Sequence, residues 1–176
     1  MFDSIKLKIA HSIVYKKAEH NHIEKKLFNN LLKNSFRFLI LMPISEVSFN
    51  KAIVTLNFFE GLNKEIVVFT RDFLVNLLPQ KYRSEAVDFS LIDINKLKLP
   101  SQRLKEKFAG LEFDVVIDLE KGENLFNSLL ICLVNAPVKI GFKKNNSDKF
   151  YNLQIDNMED NPEIFYKNLL NCLQMF

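Results

Sequence analysis

The sequence is poor in the residues that build tight loops and cross-links: it contains 4 Gly, 5 Pro, 2 Cys and no Trp. So few glycines and prolines argue against a repeat architecture, and they leave little material for a glycine-rich phosphate loop. The two cysteines, Cys132 and Cys172, both fall in predicted helices, where thiols are expected rather than a disulfide. These shortages indicate a cytoplasmic protein with an ordinary packed core.

Long apolar segments are also missing, and so are histidines in the body of the chain. No apolar run reaches the ~18 residues that a membrane-spanning helix needs, and the N-terminal segment lacks the apolar centre of a signal peptide. All three histidines, His11, His20 and His22, precede the predicted α/β body. On a helix His20 and His22 would point in different directions and could not share one ion. We therefore predict neither a metal site nor a cofactor.

What the sequence does contain is a large apolar fraction, 48% of 176 residues, with 17 Phe. From residue 36 onward, apolar runs typical of buried strands alternate with helix-length segments. The predicted strands cover residues 38–42, 65–70, 89–94, 115–119, 138–142 and 151–155, and helices cover 50–60, 101–108, 124–135 and a segment from 162. This alternation predicts an α/β fold, a Rossmann-like three-layer sandwich with a mostly parallel sheet of five or six strands.

The basic residues are concentrated at the N-terminus. Residues 1–37 contain eight basic and three acidic side chains. Apolar residues recur near helical spacing, at Phe2, Ile5, Ile9 and Ile13 and again from Ile23, which predicts amphipathic helices over 2–19 and 22–34. We therefore divide the chain into a basic helical arm, 1–35, and a single Rossmann-like domain, 36–176.

The arm has two interpretations. Its helices either pack on the domain with their lysines in solvent, or they bind an anionic membrane surface or a partner. Nucleic acid is not an expected partner, because basic and aromatic residues are not interleaved.

The most informative stretch is residues 113–142, which read FDVVIDLEKGENLFNSLLICLVNAPVKIGF. The apolar run Val115–Ile117 is typical of a strand buried on both faces of a parallel sheet. Asp118 ends that run, and ligands approach open α/β sheets at the carboxyl ends of strands. Asp118 is therefore the best-placed acid in the body of the chain.

The order and spacing of these elements resemble the N-terminal half of the family 9 glycosyltransferases, the heptosyltransferase family. The matching positions lie on two strands: Phe113, Asp114, Ile117, Asp118, Leu119, Ala136, Pro137, Ile140, Gly141 and Phe142. The likeness covers roughly residues 36–155 and implies the first lobe of a two-lobed GT-B architecture. A group of similarly short bacterial proteins resembles the chain at the same strand.

The sequence departs from that family at its first loop. There the family places a glycine and an aspartate, and the aspartate is considered the catalytic base; this chain has Ser45 and Glu46. The extra methylene displaces the carboxylate, which positional catalysis tolerates poorly. After the fourth strand, Gly122 lies in a loop with two glutamates, which suits neither a phosphate nor an anionic sugar. Lys143 and Lys144, after the fifth strand, could meet an anion or lie in solvent.

Two functional hypotheses follow. The first is a non-catalytic, single-lobe relative of these transferases that binds a protein partner, a second copy or, through residues 1–34, a membrane surface. It rests on the absence of a second lobe in this sequence, where the family's donor site mainly lies. The alternative is half of a split or dimeric glycosyltransferase of cell-envelope glycan synthesis, with Glu46 as base and Asp118 as a second catalytic acid. The expected location is the cytoplasm, with a peripheral position at the inner membrane face as the variant of the first hypothesis.

Overall fold

Six strands form one parallel sheet in the computed structural model of the protein, which describes residues 2–20, 28 and 30–176. In chain order the strands are β1 (Arg37–Leu41), β2 (Glu65–Arg71), β3 (Val87–Phe89), β4 (Val115–Asp118), β5 (Val138–Phe142) and β6 (Leu153–Ile155). Their spatial order is β3-β2-β1-β4-β5-β6, and every neighbouring pair is parallel. The predicted Rossmann-like α/β class is confirmed.

Seven α-helices surround this sheet in the described part of the chain. They are α1 (Phe2–Glu19), α2 (Leu31–Asn34), α3 (Glu46–Glu60), α4 (Gln80–Arg83), α5 (Gln102–Phe108), α6 (Leu125–Leu133) and α7 (Pro162–Leu173). Short 3₁₀ helices cover Asp72–Leu77, Leu91–Asp93 and Ser147–Lys149. Asparagine side chains cap the two longer C-terminal helices: Asn124 accepts from the Phe126 and Asn127 amides, and Asn161 accepts from the Glu163 amide.

The core is divided by the sheet into two apolar layers, because successive strand residues point to opposite faces. One layer packs β1 residues such as Phe38 and Ile40 against α3 and α7. The other packs Leu39 and Leu41 among residues of α1, α5 and α6. Helices thus cover both faces of the sheet. They leave for other contacts the two edges at which the parallel strands begin and end, the amino edge and the carboxyl edge.

The predicted third strand, 89–94, is wrong over most of its length. The strand is Val87–Phe89, and Leu91–Asp93 form a 3₁₀ helix. The cause is a local capping box, in which the Ser90 amide and the Ser90 hydroxyl both donate to Asp93 Oδ2, at 3.0 Å and 3.4 Å. The apolar pair Leu91 and Ile92, which suggested a buried strand, lies exposed on this turn.

The predicted helix over 22–34 is described only at its end, where α2 covers Leu31–Asn34; residues 21–27 and 29 lie outside the described residues, as does the side chain of Phe2. The predicted helix over 50–60 begins earlier, at Glu46. Glu46 therefore belongs to the first turn of α3 and not to a free loop.

Candidate functional site

The direction of chain winding reverses between β1 and β4, the central strands of the sheet. Leu41 and Asp118, their last residues, lie side by side in register. Ligands of open α/β sheets bind in the crevice at such a switch point. We call this region, the ends of β1 and β4 with the loops 42–45 and 119–124, the carboxyl edge.

Asp118 is turned into the protein at this edge and is only 1% exposed. Its carboxylate accepts hydrogen bonds from Tyr151 Oη at 2.6 Å, Asn127 Nδ2 at 3.0 Å and the Glu120 amide at 3.1 Å. The Lys144 ammonium lies 3.5 Å from Asp118 Oδ2. Burial, followed by the neighbouring carboxylate, raises the pKa of Tyr151 well above its usual range, so this phenol stays protonated and donates. Asp118 is thus satisfied by internal partners.

Gly141 lies on β5, the second of the two strands that carry the family resemblance, and it leaves space for the Tyr151 ring. A Cβ built on Gly141 would lie 2.5 Å from the Tyr151 ring, closer than side chains approach one another. Because β5 carries no side chain here, the ring can lie against the strand and reach Asp118. The glycine and the aspartate, which the sequence presents as separate motifs, are parts of one packing arrangement.

The other predicted catalytic residue is placed differently. Glu46 is exposed in the first turn of α3, and Ser45 is its exposed N-cap residue, whose side chain makes no capping hydrogen bond. Among the described contacts, no hydrogen bond or ion pair connects Glu46 with Asp118. The structure therefore brings Lys144 to Asp118, and it does not join Asp118 and Glu46 into a pair.

Glu120 is the residue that sequence reasoning missed at the switch point. Its Oε2 accepts from the Ile44 amide at 3.2 Å, and its Oε1 accepts from the Gly122 amide at 3.4 Å. One glutamate thereby connects the loop after β1 with the loop after β4. The amides of Ile44 and Gly122, which an anionic ligand could have used, already face a carboxylate. The sequence does show a carboxylate two residues after the end of β4. It does not show that this carboxylate accepts from the Ile44 amide, which lies in a distant loop.

The predicted ligand lysines are occupied as well. Lys143 pairs with Asp156 at 2.6 Å, and Lys144 pairs with Asp118. Both lysines line an open depression of about 480 Å³, which Lys121 also lines. Lys121 pairs with Asp160 at 3.2 Å. Each ammonium group of this depression therefore has a carboxylate of the protein beside it. In the described residues, no group of three or more His, Cys, Asp or Glu side chains is arranged to hold a metal ion.

A second region differs sharply from this closed edge. Helix α1 packs on α6 through its inner face, Ala10, Val14 and Ala18, all buried. Its larger apolar residues point elsewhere: Ile5, Ile9 and Ile13 are 52%, 45% and 42% exposed. We call these three isoleucines the outer face of α1.

The two faces of α1 lie on opposite sides of the helix, given its 3.6-residue period. Helix α1 therefore packs on the domain, yet it buries small residues and leaves about half exposed the isoleucines on which the predicted amphipathic face was based. Close helix approach explains this choice, because alanines let the axis of α1 come near α6.

These features define the class of the protein: an α/β domain with a doubly wound parallel sheet whose carboxyl edge is closed by its own side chains. Within that class, a family model described as a family of unknown function, DUF6913, matches residues 16–176, so the chain belongs to that family. No curated protein matches the chain. Among the described helices, none has both the length and the apolar character needed to cross a membrane.

Proposed function

We propose that this chain is a non-catalytic interaction domain, a single-lobe relative of the family 9 glycosyltransferases, that docks on an anionic membrane surface through the outer face of α1. The observation that carries the proposal is the orientation of α1, which is fixed to the domain by its inner face while Ile5, Ile9 and Ile13 remain 42–52% exposed. An exposed apolar row on a fixed helix is typical of an interaction surface.

The carboxyl edge supports the non-catalytic part of the proposal. A general base must reach the proton of its substrate, and Asp118 is buried among donors of its own protein. Glu120 already accepts from the Ile44 and Gly122 amides, the backbone donors that an anionic ligand would need at this edge. The lysines nearby are paired with aspartates.

The charge of α1 supports an anionic occupant. Residues 2–19 carry four lysines, all exposed, against Asp3 and Glu19. Lysines beside an apolar row allow a helix to lie at the boundary of lipid headgroups and acyl chains, with electrostatic attraction to acidic lipids. A second copy of the chain docked on the same face would bring the lysines of both helices together, which disfavours self-association.

Vesicle sedimentation tests this proposal. We expect the protein to pellet with phosphatidylserine-containing vesicles, to stay in the supernatant with phosphatidylcholine alone, and to be released by salt because the attraction is screened. The double variant Ile9→Glu, Ile13→Glu should stay in the supernatant. Ile164→Glu is the matched control, because Ile164 is similarly exposed but lies on α7; this variant should still pellet.

Two results would contradict the proposal. If the wild-type protein stays in the supernatant with acidic vesicles but forms a dimer that Ile9→Glu disrupts, the occupant is a second copy. If calorimetry shows micromolar binding of a nucleotide sugar by the pure protein, the non-catalytic part is wrong. The Glu46→Gln variant would then test the transferase alternative, in which Glu46 acts as the base.

A further inference from the structure

A separate cleft lies beside α1, on the side that faces the domain. It has a volume of about 420 Å³ and lies between the start of α1, the loop over residues 95–99 and the first residues of α6. This volume is within the range of small-molecule sites, about 300–1,000 Å³. Ile5, Ile9 and Ile13 do not line it, so the cleft and the outer face of α1 are distinct surfaces.

The walls of the cleft are mainly apolar. They include Leu7, Leu97, Leu125 and Phe126. Leu7 lies on the same side of α1 as the buried Ala10 and Val14, and it is 55% exposed and lines the cleft. An apolar molecule in the cleft would remove this leucine from water, which is favourable in proportion to the area covered.

Three lysines line the cleft, one on α1 and two on the loop over residues 95–99: Lys6, Lys96 and Lys98. In the part of the chain that the structure describes, none of them takes part in an ion pair. Lys121, Lys143 and Lys144, which line the open depression described above, are by contrast each paired with an aspartate. Asp3 and Glu123 also line the cleft, so its charged residues leave one positive charge in excess.

The loop that carries two of these lysines is closed by its own hydrogen bonds. Asn95 Oδ1 accepts from the Leu97 amide at 2.9 Å and from the Leu99 amide at 3.1 Å, and the Asn95 amide donates to the Leu99 carbonyl at 2.8 Å. Lys98 has φ +59°, in the left-handed region that residues other than glycine rarely adopt. This closed loop places Lys96 and Lys98 on either side of Leu97 at the cleft.

We propose that the cleft binds an anionic amphiphile, a molecule with a carboxylate or phosphate head and an apolar body. The head would lie among Lys6, Lys96 and Lys98, and the body would lie against Leu7 and Leu125. A small polar anion would leave the apolar walls in water, and a neutral lipid would gain no electrostatic attraction from the three ammonium groups. The inference stands on the cleft alone and does not depend on membrane docking by the outer face of α1.

Calorimetric titration at low ionic strength tests the site. Octanoate and octyl phosphate are the probes, and octylamine and inorganic phosphate are the controls for head charge and apolar body. We expect saturable binding of one molecule of either anionic amphiphile and no binding of the two controls. The tighter of the two probes identifies the source of the ligand: octanoate indicates a free fatty acid, and octyl phosphate indicates a phospholipid headgroup.

Matched variants locate the binding. Lys96→Gln and Lys98→Gly should each weaken binding about 3- to 5-fold, since each removes one partly exposed charge contact. Lys8→Gln is the control, because Lys8 is also exposed on α1 but does not line the cleft; it should change the affinity less than 2-fold. Absence of binding by both anionic probes, equal binding of octylamine, or an equal loss with Lys8→Gln would overturn the proposal.

Discussion

The carboxyl edge and the outer face of α1 differ in where their side chains find contacts. Side chains at the carboxyl edge contact one another inside the protein, whereas those of the outer face are exposed to solvent. At the edge, a buried carboxylate, a phenol, an amide and an ammonium group satisfy one another around Asp118. On α1, three isoleucines are 42–52% exposed although the helix has a buried face available. Charged residues at a strand end suggested chemistry, but Asp118 has its partners within the protein, whereas the isoleucines of α1 face solvent.

Strand β4 has an aspartate with partners inside the protein at each of its two ends. Asp114, just before β4, accepts from the Phe36 amide at 2.7 Å and from the Arg37 amide at 2.9 Å. Asp118, at the other end, fixes Tyr151 and Asn127. The two aspartates of the Phe-Asp-x-x-Ile-Asp pattern therefore tie β4 to β1 at the amino edge and to the β5–β6 region and α6 at the carboxyl edge. Both aspartates therefore have hydrogen-bond partners within the protein.

The largest effect is expected at Asp118. Asp118→Ala would leave the Tyr151 hydroxyl, the Asn127 amide and the Lys144 ammonium without their shared acceptor, and we expect the free energy of unfolding to fall by about 3 kcal/mol. Urea denaturation measures this, with Asp148→Ala at an exposed position as the control. If Asp118→Ala is as stable as the wild type, the interpretation of Asp118 as a structural residue is wrong, and a functional role for it returns.

A somewhat smaller loss is expected from Gly141→Ala. The new methyl group would overlap the Tyr151 ring and force it away from Asp118, which we expect to destabilise the protein by about 2 kcal/mol. The matched control is Gly61→Ala, because a Cβ at Gly61 would meet nothing within 4 Å. In a Tyr151→Leu background, Gly141→Ala should cost much less than it does in the wild type, since the smaller side chain no longer opposes the methyl group. Strict additivity of the two changes would contradict this packing account.

At the amino edge the effect should depend on pH. The amides of Arg37 and Phe36 lower the pKa of Asp114 below its usual 3.8, because they donate to its ionised form. A lowered folded-state pKa stabilises the protein above the unfolded-state pKa, and this contribution disappears as the pH falls through the folded-state value.

We therefore expect Asp114→Asn to lower the free energy of unfolding by about 1 kcal/mol at neutral pH and to approach the wild type below about pH 4. Denaturation curves across this range measure the difference, and Asp148→Asn corrects for the loss of one negative charge. A difference that grows as the pH falls would show that Asp114 is not held as a carboxylate by the β1 amides.

Much of this fold could be predicted because its signals are local. Runs such as Val115–Ile117 are apolar without alternation, and Asn161-Pro162-Glu163 is a helix start that needs no tertiary information. The prediction of the third strand was wrong for a local reason too, since the Ser90–Asp93 capping box outweighs the strand tendency of Leu91 and Ile92.

The candidate site was less predictable because its contacts join distant segments. Tyr151 is 33 residues from Asp118, and Ile44 is 76 residues from Glu120. A single sequence shows that a carboxylate ends a strand, but it does not show which donors will reach it. The orientation of α1 was hidden for another reason: hydrophobicity favours isoleucine over alanine as the buried residue, while close packing of two helices favours alanine.

The smallest change in stability is expected on the outer face of α1. Ile9→Ser should alter the free energy of unfolding by no more than about 0.5 kcal/mol, because Ile9 is 45% exposed and substitutions at surface positions usually change stability little. Val14→Ser, on the inner face of the same helix, should destabilise the protein by about 2 kcal/mol, because Val14 is fully buried. Both are measured by urea denaturation of the dilute protein without lipid. A loss at Ile9 equal to that at Val14 would mean that the outer face is covered within the protein itself. A neutral Ile9→Ser that nevertheless loses vesicle binding would separate the two faces: one holds α1 on the domain, and the other acts outside it.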